Sequence, residues 1–134
     1  MQFIDGKPRC DWIKDHSLYL QYHDEEWGVP IYDDHKLFEL LVLESAEAGL
    51  SWLTILKKRA NYRLAYDNFD PEKVACYDSK KEEELMMNAG IIRSKAKIIS
   101  SVQNARKFLE IQKQHGSFSN YIWNYVDHQP ILNN

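Results

Sequence analysis

Ile98, Val102, Ala105 and Leu109 recur at i, i+4, i+7 and i+11, a spacing that only a long helix with one face against a core can satisfy. The stripe predicts a helix from about Ser94 to Gln114, and the punctuation elsewhere is helical as well. A helix should run from Asp34 to Ala48 and stop at Gly49, and Ser51 should cap a second that passes Tyr62. Phe69-Asp70-Pro71 opens a turn or short helix through Ala75, and Ser79 caps KKEEELMMN, which ends at Gly90. Gly116 breaks the long helix, Ser117 caps FSNYIWNYV, and Pro130 closes it. The residues before Asp34 read as an irregular start. With no alternating strand pattern and no repeat, the expected fold class is all-α. The 134 residues, 44% of them hydrophobic, are enough for one core and one domain over 1–134.

Within that frame Glu44 is out of place. At 100° per residue, Leu37, Leu40, Leu41 and Ala48 gather on one face of their helix, and Glu44 falls near its middle. Two readings follow. The glutamate curls to the rim and reaches solvent or a neighbouring Lys or Arg, or it lines a pocket, because an unpaired buried carboxylate costs about several kcal/mol.

Charge and cysteine usage narrow the function classes. The net charge of −3 argues against a surface that binds polyanions everywhere, yet the charges are segregated. Residues 48–66 carry Lys57, Lys58, Arg59 and Arg63 without an acid, and residues 91–109 carry Arg93, Lys95, Lys97, Arg106 and Lys107, again without one. These blocks are solvated helix faces or, together, one phosphate-facing side. No apolar run is long enough to span a bilayer, MQFIDGKPRC lacks the apolar core of a signal peptide, and two cysteines are too few for a disulfide framework. The expectation is a cytoplasmic protein with no membrane partner.

Three further groups of residues bear on chemistry. The tight turn Asn88-Ala89-Gly90-Ile91-Ile92-Arg93 between two helices makes a helix-hairpin-helix shape, in which glycine permits the turn and the first amides of the next helix face phosphate beside Arg93, Lys95 and Lys97. Trp12, Tyr19, Tyr22, Trp27 and Tyr32, with Trp52 after the Glu44 helix, are either core or the walls of a site for a flat, electron-poor ring. Cys10 and His23 are two residues that could meet at a metal, half of the four ligands zinc normally takes.

Arg9-Cys10-x-Trp12, Tyr22-His23-Asp24-x-Glu26-Trp27-Gly28-Val29-Pro30, Leu43-Glu44, Ala48-Gly49-Leu50-Ser51-Trp52, Leu56-Lys57-Lys58-Arg59 and Ala89-Gly90-Ile91-Ile92-Arg93 together resemble the bacterial 3-methyladenine DNA glycosylases of the constitutive type I class. The resemblance is collinear from about Arg9 to Pro130. It implies a monomeric, all-α helix-hairpin-helix DNA repair enzyme that flips 3-methyladenine out of alkylated double-stranded DNA, hydrolyses its N-glycosidic bond, and binds the free base as product. Carried over position by position, Glu44 reads the amino and ring-nitrogen edge of the base and serves as the catalytic residue. Tyr22 and Trp52 stack on the base, and Trp12, Tyr19 and Trp27 complete the wall. Gly90, Ile91, Arg93 and Lys95 meet DNA, and Cys10 and His23 are two ligands of a structural zinc.

The chain departs from the family's pattern at two points. Glu47 stands where the family tends to have glutamine. The family also continues with a segment whose His and Cys complete the zinc site, and Cys76, His115 and His128 do not match those positions. The chain therefore reads as short of the family's C-terminal segment, and Cys10 and His23 alone should hold zinc weakly.

Little catalytic apparatus is needed. Methylation at N3 makes adenine a cation and a good leaving group, so stacking and cation–π contacts worth about 0.5–2 kcal/mol each, with Glu44 or the DNA phosphates beside the developing sugar cation, are the expected contributions. Asp127 reads as a surface or capping residue and not as a water-activating acid. The rival reading is a non-catalytic or truncated module of the same fold that binds DNA or a methylated purine. A third is a zinc-dependent interaction domain in which the aromatics are core.

Overall fold

The predicted stripe forms the central helix of the molecule. In the computed structural model, which describes residues 1–14 and 16–133, α6 runs Lys95–His115 with Ser94 as its N-cap, the Ser94 hydroxyl accepting from the Lys97 amide. Ile98, Val102, Ala105 and Phe108 are its buried face. Phe108, one residue before the predicted Leu109, ends the stripe because its ring stacks on Phe118 at 4.4 Å. Around α6 pack α2 (Asp34–Glu47), α4 (Pro71–Ala75), α5 (Ser79–Met86) and α7 (Phe118–Trp123), and α3 (Trp52–Ala65) lies against α2. The predicted caps Ser51 and Ser117 each accept from an amide three residues on, whereas α5 is capped by Asp78, one residue before the expected Ser79. Asp34, the first residue of α2, latches that helix to α7. Its carboxylate accepts from the Phe118 and Ser119 amides, both at 2.8 Å, where an anion meets the positive end of α7.

The first 33 residues are more ordered than the sequence suggested. Gln2–Ile4 (β1) and Lys7–Arg9 (β2) pair antiparallel across Asp5-Gly6, whose φ values of 52° and 73° suit a two-residue hairpin turn. Two strands of three residues leave the class all-α, but the Asp-Gly signal was there to be read. Ser17–Glu25 then form α1, capped by the His16 ring, which accepts from the Leu18 amide. This helix has no buried residue, so no apolar stripe announces it.

Polar clamps hold α1 in place. Arg9, only 6% exposed, donates from Nε and Nη2 to Asp24 at 3.0 and 2.8 Å and also bonds the Ile4 carbonyl. Arg59 of α3 grips Glu26 with both terminal nitrogens, at 2.7 and 3.0 Å. The Tyr19 hydroxyl accepts the Leu53 amide at 3.0 Å, satisfying an orphan donor in the first turn of α3.

Candidate active site

The buried residues of α2 are Phe38, Val42, Leu43 and Ala46, not the face predicted from Leu37, Leu40, Leu41 and Ala48. At 100° per residue Glu44 stands on the opposite side of the helix from Phe38, Val42 and Ala46. The expectation of a carboxylate in the middle of a core face is thus corrected: Glu44 is exposed, and Leu41 beside it is 37% exposed. What Glu44 faces is a pocket.

That pocket, of about 420 Å³, is lined by Trp12, Tyr19, Tyr22, Trp27, Glu44, Glu47, Ser51 and Trp52. All six residues assigned to the base site from sequence are therefore brought together from a 3-10 turn (Asp11–Ile13), α1 and the turn that follows it, α2 and α3, and Glu47 and Ser51 join them. Tyr19 and Tyr22 reach it because α1 places i and i+3 on one side, a spacing visible in the sequence although the helix was not expected. The rim reading of Glu44 holds in its first half, since the side chain reaches solvent, and fails in its second. Among the described residues no Lys or Arg nitrogen lies within 4.0 Å of its carboxylate.

The wall is a set of edge and tilted contacts. Trp12 meets Tyr19 at 5.2 Å, Tyr22 at 6.2 Å and Trp27 at 5.7 Å, and Tyr22 meets Trp52 at 5.6 Å with the planes 57° apart. A flat base held between two parallel rings needs them about 7 Å apart, twice the contact distance between carbon atoms. Tyr22 and Trp52 as they stand form one corner against which a base can stack, not two faces of a slot. The Trp52 indole Nε1 is buried without a protein acceptor.

The electrostatics favour a cation. Desolvation raises the Glu44 pKa, and the charge of Glu47 raises it further. Burial lifts the Tyr22 phenol, with Glu44 and Glu26 adding to it.

Cys10 and His23 line one hollow of about 390 Å³ with Met1, Pro8, Arg9 and Asp11. His23 Nδ1 lies 3.0 Å from Asp24 Oδ1, an arrangement that orients the ring and leaves Nε2 for a metal. A thiol and an imidazole are two of the four donors zinc takes, and among the described residues no group of three or more His, Cys, Asp and Glu that could hold a metal forms. Arg9, and after it His23, hold the Asp24 carboxyl well below the usual range. His23 also stacks on Trp27 at 5.6 Å, so this hollow backs directly onto the aromatic pocket.

The hairpin between α5 and α6 is formed, with different uses for its residues than expected. Gly90 does not adopt positive φ; a Cβ there would meet Asn61 of α3 at 3.0 Å, so the glycine is needed for close packing. Ile91 is 2% exposed and belongs to the core, and its amide reaches the Asn88 carbonyl. The Gly90 and Ile92 amides are taken by the Asn88 side chain and the Tyr62 hydroxyl. The donors left to the hairpin surface are the exposed Arg93 and Lys95 side chains and the first two amides of α6, the Lys97 amide being taken by the Ser94 hydroxyl. Most other cations of the two basic blocks are engaged: Arg59 with Glu26, Arg63 with Glu39, Lys107 with Glu110, Arg106 with the Ala75 carbonyl. Lys58 Nζ reaches the Ala89 carbonyl at 3.5 Å, which brings the first block beside the hairpin of the second.

An all-helical scaffold with an aromatic and carboxylate pocket and a basic hairpin is the arrangement of a helix-hairpin-helix DNA glycosylase. The chain belongs to the methyladenine glycosylase family, whose family model matches residues 12–134. It is 46% identical over 125 residues to the DNA-3-methyladenine glycosylase of Haemophilus influenzae, covering 93% of this chain and 68% of that protein. It is 48% identical over 122 residues to DNA-3-methyladenine glycosylase 1 of Escherichia coli, covering 91% and 65%. A crystal structure of 3-methyladenine DNA glycosylase I superposes with a TM-score of 0.90 at 46% identity, over 95% of this chain and 70% of that one. The Staphylococcus aureus enzyme, solved for its recognition of 3-methyladenine, gives 0.85 at 45%, over 87% and 62%.

Proposed function

We propose that this chain excises 3-methyladenine from alkylated DNA, and that the pocket around Glu44 receives the base. The observation that carries this reading is the convergence of Glu44 with Trp12, Tyr19, Tyr22, Trp27 and Trp52 on one cavity of about 420 Å³. That size is within the range of about 300–1,000 Å³ used for small ligands. The electron-rich walls and two carboxylates attract a cationic purine, and Glu44 accepts from its amino edge. Arg93 and Lys95 hold the duplex backbone without reading its sequence. Binding energy realised as positive charge moves from base to sugar, with a carboxylate nearby, lowers the barrier to bond cleavage, and water completes the hydrolysis. The chain acts as a monomer in the bacterial cytoplasm. A structural zinc, held in part by Cys10 and His23, would cross-link the N-terminal hairpin to α1 and stiffen the back of the pocket.

Glu44→Gln tests the assignment. The amide keeps the volume, places a donor against the base's own N–H, and removes the charge, so affinity for free 3-methyladenine should fall ten- to hundredfold at a cost of about 1–3 kcal/mol. A thermal melt of the same variant should show unchanged or higher stability, since an ionised group with a raised pKa opposes folding near neutral pH. Unchanged affinity, or no release of base from methylated duplex by the wild type, would remove this reading.

A further inference from the structure

The C-terminus of α2 and the start of α3 supply four of the pocket's lining residues, Glu44, Glu47, Ser51 and Trp52, and the turn between them is short. Ala48 leaves the helix at φ −48° and ψ 120°, Gly49 takes φ +80°, and the Leu50 amide bonds back to the Glu47 carbonyl at 2.7 Å. The relative placement of carboxylates and indole is set by this turn. Its outer side is held by a residue from a distant helix. Lys97, in the first turn of α6, donates from Nζ to the Ala46 carbonyl at 2.8 Å and to the Ala48 carbonyl at 2.7 Å. Helix termini leave their last carbonyls without intrahelical donors, and a cation there also meets the negative end of the helix.

We propose that Lys97 is a positioning residue of the base pocket: by clamping the end of α2 it sets Glu47, Ser51 and Trp52 relative to Glu44 and ties the pocket to the hairpin that carries Arg93 and Lys95. The inference rests on the base-binding reading above. An internal comparison lies on the same helix, where Arg106 Nε donates to the Ala75 carbonyl at 3.0 Å, closing the end of α4 in a like manner without touching the pocket.

The test is tryptophan-fluorescence titration with free 3-methyladenine of the wild type, Lys97→Met, Lys97→Arg and Arg106→Met, each with a thermal melt. Lys97→Met should bind at least tenfold more weakly, Lys97→Arg, which can still donate to both carbonyls, should recover to within about threefold of the wild type, and Arg106→Met should bind as the wild type does even where its melting temperature falls. Two results would overturn the inference alone: wild-type affinity in Lys97→Met, or equal losses in Lys97→Met and Arg106→Met that follow their melting temperatures. A wild type that does not bind the base would overturn the functional reading and this inference with it.

Discussion

Glu44 and Glu47 stand three residues apart on α2 and both line the pocket, so Glu44 feels the charge of Glu47 beside aromatic rings that desolvate it in part. The consequence is a carboxyl that holds its proton to higher pH than an ordinary glutamate. A 13C titration of the Glu44 carboxyl in the free protein should show its midpoint above 4.5, and Glu47→Gln should move that midpoint down. A midpoint at or below 4.5, or one that ignores Glu47→Gln, would mean the two carboxylates do not share a desolvated site. The sign for stability follows from the same shift. Because the folded state binds the Glu44 proton more tightly than the unfolded chain, this residue's contribution worsens as pH rises through the window above 4.5.

At the scale of elements, the hairpin between α5 and α6 divides its residues between packing and surface. Ile91 fills the core and Gly90 lets Asn61 approach, while Arg93 and Lys95 remain exposed. Substituting Arg93 and Lys95 together by alanine should weaken binding to methylated and unmodified duplexes about equally. It should also make the slope of log K against log salt shallower by about 2, since each phosphate contact contributes about 0.9. Fluorescence anisotropy across a salt series measures both. Unchanged affinity would leave the hairpin as a connection between helices.

At the scale of the molecule, the N-terminal wall of the pocket buries Ile13 and sets Tyr22 against Trp52, and it is further joined to the helical core by the Arg59–Glu26 pair and the Tyr19–Leu53 bond. The other end of the chain returns to the same region, where Trp123 stacks on Tyr32 at 4.5 Å and donates to the Ile31 carbonyl at 2.7 Å. These ties should make residues 1–134 unfold as one unit. Tryptophan fluorescence, which reports mainly on Trp12, Trp27 and Trp52, and far-ultraviolet circular dichroism, which reports on the helices, should then give coincident transitions. An earlier fluorescence transition would show that the pocket's front wall melts alone.

The helices from Asp34 onward were legible in the sequence, because periodic apolar residues and capping side chains are local signals, although α5 starts from Asp78 and ends at Met86, short of Gly90, and α7 ends at Trp123, short of Val126. The six pocket residues were legible as well, through the resemblance their motifs carry. Helix α1 was not, because it buries no side chain completely and is held by Arg9, Arg59 and the Leu53 amide from elsewhere in the chain. The face on which Glu44 lies was misread for a related reason: both sides of α2 carry leucines, and only its packing on α3 and α6 selects Phe38, Val42 and Ala46 as the core side. Sequence by itself determined which segments are helical and which side chains could make a base site. Tertiary structure decided which way each helix turns and which cations stay free, because burial and long-range hydrogen bonds depend on neighbours that periodicity does not name.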